Sequence, residues 1–168
     1  MGIQKNNLQS EISELQEICQ RMENMEINES RFDPPATEEE ILGWESTYGI
    51  TIPKSYKEWL RFSNGAKIFG FTAQFYGIKG IVVEEKYLPE DLVMIGDMIG
   101  DGEFLCFKKE TGEIVSLFEG KRKEYGDFKE VLLELIRLGK SELGEDVQTN
   151  KWLAQLRALN EAKKNRGE

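Results

Sequence analysis

The stretch ITIPKSYKEWLRFSNG, residues 50–65, constrains the fold more than any other part of the chain. Ile50 and Ile52 alternate with Thr51, Pro53 fixes its own backbone angle, and Tyr56, Trp59 and Leu60 then fall at the i, i+3, i+4 spacing of one helix face. Ser63, Asn64 and Gly65 are residues at which helices stop. The pattern predicts a short extended lead and then an aromatic helix. Its start falls at Pro53, or at Ser55 if Ser55 and Glu58 form a capping box. Such a face needs a core to close on, with at most one edge of Tyr56 or Trp59 left for a partner.

The rest of the chain can supply that core. At 168 residues, 39% of them hydrophobic, it is long enough for one domain with a substantial interior. Near the start, Leu8, Ile12, Leu15, Cys19 and Met22 recur at spacings of four and three, with Ile18 widening the stripe. This predicts an amphipathic helix over about 7–28 that docks on the domain, being too short for a coiled-coil seam. NESRFDPP, with Pro34 and Pro35, then reads as a linker. Thr37 and Glu40 have capping-box spacing ahead of a helix carrying Ile41, Trp44 and Tyr48, which Gly49 ends.

After Gly65 the character becomes β-like. Residues 67–71 and 73–77 suggest two short strands or one broken hairpin, followed by a loop or short helix through 80–90. The strongest strand signal is LVMIGDMIGDGEFLCFKKETGEIVSLFEG, in which residues 104–107 and 114–118 form a hairpin about a turn with Gly112 at positive φ. Asp127 and Glu130 then open a helix with Phe128, Val131, Leu132, Leu135 and Ile136 on one face and Gly139 at its end. A last helix near 149–163 places Trp152, Leu153, Leu156 and Leu159 on one side. Helices at both ends with strands between predict an α+β fold: a single domain with a central, mostly antiparallel sheet flanked by helices, plus added N- and C-terminal helices. The division is residues 1–32, 33–140 and 141–168.

The chemistry is bounded by what the residue types exclude. With no histidine, Ser-His-Asp, Cys-His and His-containing zinc arrangements are ruled out. Cys19 and Cys106 each sit in an apolar pattern rather than a CxxC, which predicts two separate buried thiols in a reducing compartment. Asp97, Asp101 and Glu103, with Gly100 and Gly102 between them, invite a calcium-loop reading. Counting from Asp97, however, the third and twelfth loop positions are Ile99 and Lys108, which cannot serve as the ligands required there. The expectation is a turn between strands, with no metal, no cofactor and no catalytic residue. A net charge of −9 repels phosphates and attracts basic partners, so direct nucleic-acid binding is not expected, and Lys121, Arg122 and Lys123 read as a solvated helix face or loop. The opening MGIQKNNLQSEI has no apolar run of the secretory kind, and nowhere do 18 apolar residues follow one another, which points to the cytoplasm and to no membrane span.

As an ordered set, these features resemble the SUKH superfamily, which contains yeast cell-wall-synthesis regulators and many bacterial immunity proteins. The resemblance covers residues 34–138. It begins with PPATEEEILGWESTYGITIPKSYKEWLRFSNG, continues through Ile95, Gly96 and Asp97, through Gly100, Asp101 and Gly102, and through the 104–118 hairpin, and ends at Asp127 and Phe128. It implies a non-enzymatic α+β binding module that occludes a cognate protein toxin, a basic nuclease being a suitable partner, as a monomer or homodimer. The acidic residues Glu84, Glu85, Asp97, Asp101 and Glu103 are the expected partner surface, because they cluster near strand ends. A regulatory scaffold in signalling or cell-wall synthesis remains the alternative, and a carboxylate-based hydrolase a third.

Overall fold

The structure, a computed structural model, describes residues 8–70, 72–98, 102–144 and 147–165. Its elements are α1 (Gln9–Asn24), β1 (Arg31–Phe32), α2 (Glu38–Tyr48), α3 (Lys54–Phe62), β2 (Ala66–Ile68), β3 (Ala73–Phe75), β4 (Leu92–Met98), β5 (Glu103–Lys108), β6 (Ile114–Phe118), β7 (Lys121–Gly126), α4 (Phe128–Glu142) and α5 (Val147–Asn165). The seven strands form one open sheet in the order β1 to β7, and every neighbouring pair is antiparallel. The fold is α+β, as the pattern of elements implies.

The stretch at 50–65 is the hub of the interior. Helix α3 begins at Lys54 behind Pro53 and has no side-chain cap. Ser55 does not form the alternative capping box; its hydroxyl oxygen accepts from the Phe128 amide at 3.0 Å and so ties the start of α3 to the start of α4. Tyr56 and Trp59 are wholly buried, so neither leaves an edge for a partner. The Trp59 ring lies 5.3 Å from Phe75 and 5.5 Å from Phe128, and Tyr56 meets Phe128 edge-on at 5.0 Å. The Tyr56 hydroxyl donates to the Tyr76 carbonyl at 2.5 Å and lies 3.2 Å from that of Ile95, which satisfies it inside the core.

The helices close one face of the sheet. Leu8 at the N-cap of α1, and Ile12, Leu15, Ile18, Cys19 and Met22 within it, are all buried in the main core, and Glu14 pairs with Lys140 of α4 at 2.6 Å. Helix α4 starts as expected, Asp127 accepting from the Glu130 amide at 3.3 Å, but it does not stop at Gly139. It runs on to Glu142, and Gly139 is a packing point instead. A Cβ there would stand 2.6 Å from Cγ2 of Ile18 and 2.8 Å from Cζ of Phe69. The capping box of α2 forms in full, with Thr37 and Glu40 exchanging hydrogen bonds of 3.1 Å, and Gly49 closes that helix at φ 63. In α5, Leu156 and Leu159 are exposed, while the side chains of Trp152 and Leu153 lie outside the described residues.

Two segments differ from the sequence reading. NESRFDPP is not a free linker: Arg31 and Phe32 pair with Lys67 and Ala66, and the Asn64 amide donates to the Pro34 carbonyl at 2.9 Å. The prolines follow the strand and do not interrupt it. Residues 121–126 are neither helix face nor loop but the edge strand β7, paired along β6. Its charged residues suit an exposed edge, where they discourage a further strand from adding. The hairpin at 103–118 forms as expected, with Gly112 at φ 76 in the turn between β5 and β6, whereas the pair expected at 67–71 and 73–77 is a hairpin of shorter strands, Ala66–Ile68 and Ala73–Phe75.

Candidate partner-binding site

The other face of the sheet carries a second, smaller core of Leu88, Leu92, Met94, Cys106, Val115 and Leu117, with Tyr76, Val82 and Phe104 packed against it. No helix covers it. Its cover is the segment 81–91, which crosses the strands as a strap after the 3-10 turn Ile78–Gly80. Several bonds hold the strap down. Val82 and Met94 exchange backbone hydrogen bonds of 3.0 and 2.9 Å, and the Lys109 amide donates to the Asp91 carbonyl at 2.9 Å. The Arg122 guanidinium takes the Asp91 carboxylate in a bidentate grip at 2.7 and 2.8 Å. That grip holds the Asp91 carboxyl below its usual range.

Between these ties the chain turns outward. The Leu88 amide donates to the Glu85 carbonyl at 3.0 Å, so Leu88 drops into the small core while Glu84, Glu85, Lys86 and Tyr87 stay exposed. The Tyr87 ring stacks on Phe104 with centroids 5.3 Å apart and planes 29° apart. Beside it opens a groove of about 760 Å³ lined by Glu84, Glu85, Lys86, Glu90 and Lys109, with Val83 and Leu88 as its apolar floor. Among the described residues Glu84, Glu85 and Glu90 have no ion pair, so three carboxylates face two amines there.

Cross-strand register extends this face. Arg31, Lys67, Gln74, Asp97, Phe104, Leu117 and Arg122 stand opposite one another in succession, forming one row across the sheet. Within it the Tyr76 hydroxyl donates to Asp97 at 3.2 Å. Burial first, and the Asp97 charge second, push the Tyr76 hydroxyl up to about 12, so it remains a donor at neutral pH. Beneath the strap, burial pushes the Cys106 thiol up to about 12, which leaves it an inert core residue.

The expected surface residues are therefore separated. Glu84 and Glu85 share the groove, and Asp97 lies on the same side of the sheet. Glu103, opposite Met98, alternates with Phe104 and so points to the helix side with Leu105 and Phe107. Its charge there adds to the upward shift of the Tyr125 hydroxyl, after burial and Glu134. Asp101 lies outside the described residues. Sequence reasoning missed Glu90, Tyr87 and the Asp91–Arg122 clasp. A tyrosine set in the acidic run EEKYLPED is the signal that marks the first two.

An antiparallel meander closed by helices on one side and by an acidic strap on the other makes this an α+β module. Residues 35–134 match the SMI1 / KNR4 family (SUKH-1), and the chain belongs to that family. Over 74 residues it is also 35% identical to the uncharacterized protein YnaB of Bacillus subtilis (strain 168), a match covering 43% of this chain and 51% of that one. The chain thus spans about half the length of this relative. Among the described residues, no helix is long and apolar enough to cross a membrane.

Proposed function

We propose that this chain is a non-enzymatic immunity protein that binds a cognate toxin and blocks it by occlusion, the strap face being the contact surface. The observation that carries this reading is the strap. Glu84, Glu85 and Glu90 carry charge left uncompensated by any ion pair among the described residues, on a segment clamped at Val82 and Asp91. A clamped loop loses little conformational freedom on binding, so more of its contact energy is expressed as affinity. Membership in a family that includes immunity proteins supports the reading, as does the net charge of −9, which would steer a basic nuclease toward the surface. Asp97 extends the acidic surface from the strap along the Phe104 row, and Glu103 contributes from the opposite side if the partner wraps the β4–β5 end.

The test is co-expression with the product of the neighbouring reading frame. The protein is expected to co-purify with that product and to protect cells from it. Glu84→Lys together with Glu85→Lys should slow association about tenfold or more, with a steeper effect at low salt. Glu103→Lys should change it less. Absence of both binding and protection overturns the proposal.

A further inference from the structure

The second half of α5 is a helix that packs on nothing. Over residues 155–165 every residue is exposed, Leu156 and Leu159 among them at 37% and 59%. The two leucines stand three apart and so share one face. Most helical stability comes from burying such a face, and a helix left bare in water is marginal. This half is also basic, since Arg157, Lys163 and Lys164 stand against Glu161 alone in a chain whose net charge is −9. The complementary surface is a groove of about 810 Å³ at the end of α1. Ile27, itself 36% exposed, lines it, and Met25, 58% exposed, stands at the C-cap of α1 close by in the chain. Glu23, Glu26 and Glu29 line it without an ion pair among the described residues, against Lys67 and an Arg31 that Asp33 engages at 3.2 Å. The groove lies where α4 ends: the Asn28 side-chain amide donates to the Glu142 carboxylate at 3.4 Å, and α5 begins at Val147.

We propose that two copies of this chain dimerise by exchanging α5, the Leu156 and Leu159 face of each covering the Ile27 groove of the other. The occupant is a second copy because α5 of the same chain starts near the groove yet leaves both leucines exposed. A two-fold axis brings the identical groove of a neighbour, so one patch is used twice and the association closes. The two parts match in kind. Leu156 and Leu159 meet Ile27 and Met25, which removes apolar surface from water, and the cations of α5 meet Glu23, Glu26 and Glu29. The groove is also formed in advance: the Ile27 amide donates to the Met22 carbonyl at 2.9 Å and the Gly70 amide to the Glu29 carbonyl at 2.8 Å. Little freedom is therefore lost when it is filled. The contact uses no residue that lines the strap groove, so it stands apart from the toxin reading.

The test is analytical ultracentrifugation of the full chain, joined to cross-linking. The unaltered chain should sediment as a dimer with a dissociation constant on the order of 10 μM. Leu156→Asp together with Leu159→Asp changes two exposed residues, so the core should be untouched and the chain should stay monomeric. Glu23→Lys together with Glu26→Lys should weaken the dimer about tenfold or more, and adding Arg157→Glu and Lys163→Glu should restore it. An equimolar mixture of Ile27→Cys and Leu159→Cys chains, treated with a short bismaleimide, should give a covalent dimer joined through the two introduced thiols, because Cys19 and Cys106 are buried. A monomer at about ten times the expected dissociation constant, or a dimer that survives the leucine or glutamate changes, would overturn the exchange. So would cross-links between position 159 of both chains. A chain carrying Ile27→Cys and Leu159→Cys together that cross-links only within itself would overturn it too, in favour of docking on its own groove.

Discussion

The two faces of the sheet are closed by different means. On the helix side, long elements bury large rings against one another, and Trp59, Tyr56, Phe75 and Phe128 form a cluster with no access to solvent beyond 1% of any residue. On the strap side, irregular chain over 81–91 contributes Leu88, covers five small or medium side chains and holds on through polar ties. The first arrangement gains its stability from area and close packing, which are costly to alter. The second relies on a few separable bonds, so its outer surface can change without disturbing the fold. Diversifying a contact surface is therefore cheap on the strap and expensive on the aromatic hub.

The contrast is most severely tested at Trp59. Trp59→Ala empties the centre of the aromatic cluster and should cost about 3–5 kcal/mol, enough to threaten folding altogether. Chemical denaturation would register it as a large drop in the midpoint. An unchanged midpoint would mean that the helix-side core is not the principal source of stability. A step smaller, Gly139→Val should cost about 1–3 kcal/mol, since the added carbons meet Ile18 and Phe69 at once. Its signature is specific: α1 should lose amide protection before the sheet does.

How far these features can be read from sequence follows from how local their causes are. Thr37 with Glu40, Asp127 with Glu130, and Gly112 in its turn are legible because each cap or turn is closed by residues five or fewer apart. Gly139 reads as a helix end in the sequence because the atoms that require it, on Ile18 and Phe69, are distant along the chain. Strand β1 is too short for alternation to show, and β7 is an edge whose charges hide its period. At the candidate site the acids are visible in the sequence, but their arrangement is not. Whether Glu84 and Glu85 share a groove depends on Arg122 reaching Asp91 across 31 positions, and the opposed directions of Asp97 and Glu103 depend on register.

Cutting the clasp should separate the two faces experimentally. In Arg122→Ala the bidentate pair is lost, but Arg122 and Asp91 are 32% and 54% exposed, so global stability should fall by no more than about 1 kcal/mol. The local effect should be larger: the Val82 and Met94 amides should exchange faster, while those at the centre of α3 do not change. Matching acceleration on both faces would show that the strap is part of the main cooperative unit.

Acid should produce the mildest version of the same separation. Asp91, held by Arg122, and Glu38, held by Arg61, have carboxyls below their ordinary values of 3.8 and 4.5. Glu134 is also lowered: burial acts to raise it but is outweighed by hydrogen bonds from the Tyr125 hydroxyl and Lys123. A depressed carboxyl binds its proton more weakly folded than unfolded. Its contribution is therefore complete above the unfolded value and is lost as pH falls through the folded one. Stability should be level above about pH 5 and decline below it, and because Asp91 and Glu38 are exposed their share of the decline should be shallow, with the half-buried Glu134 contributing more. The Asp91 share of that decline should appear as early exchange at Val82, and Arg122→Ala should remove it. Within the ring cluster of Tyr56, Trp59, Phe75 and Phe128 the one ionisable group is the Tyr56 hydroxyl, held by burial well above its ordinary value of 10.0, and it does not titrate in that range. A strap that loosens with acid above a core that does not is the outcome expected if the two faces are independent.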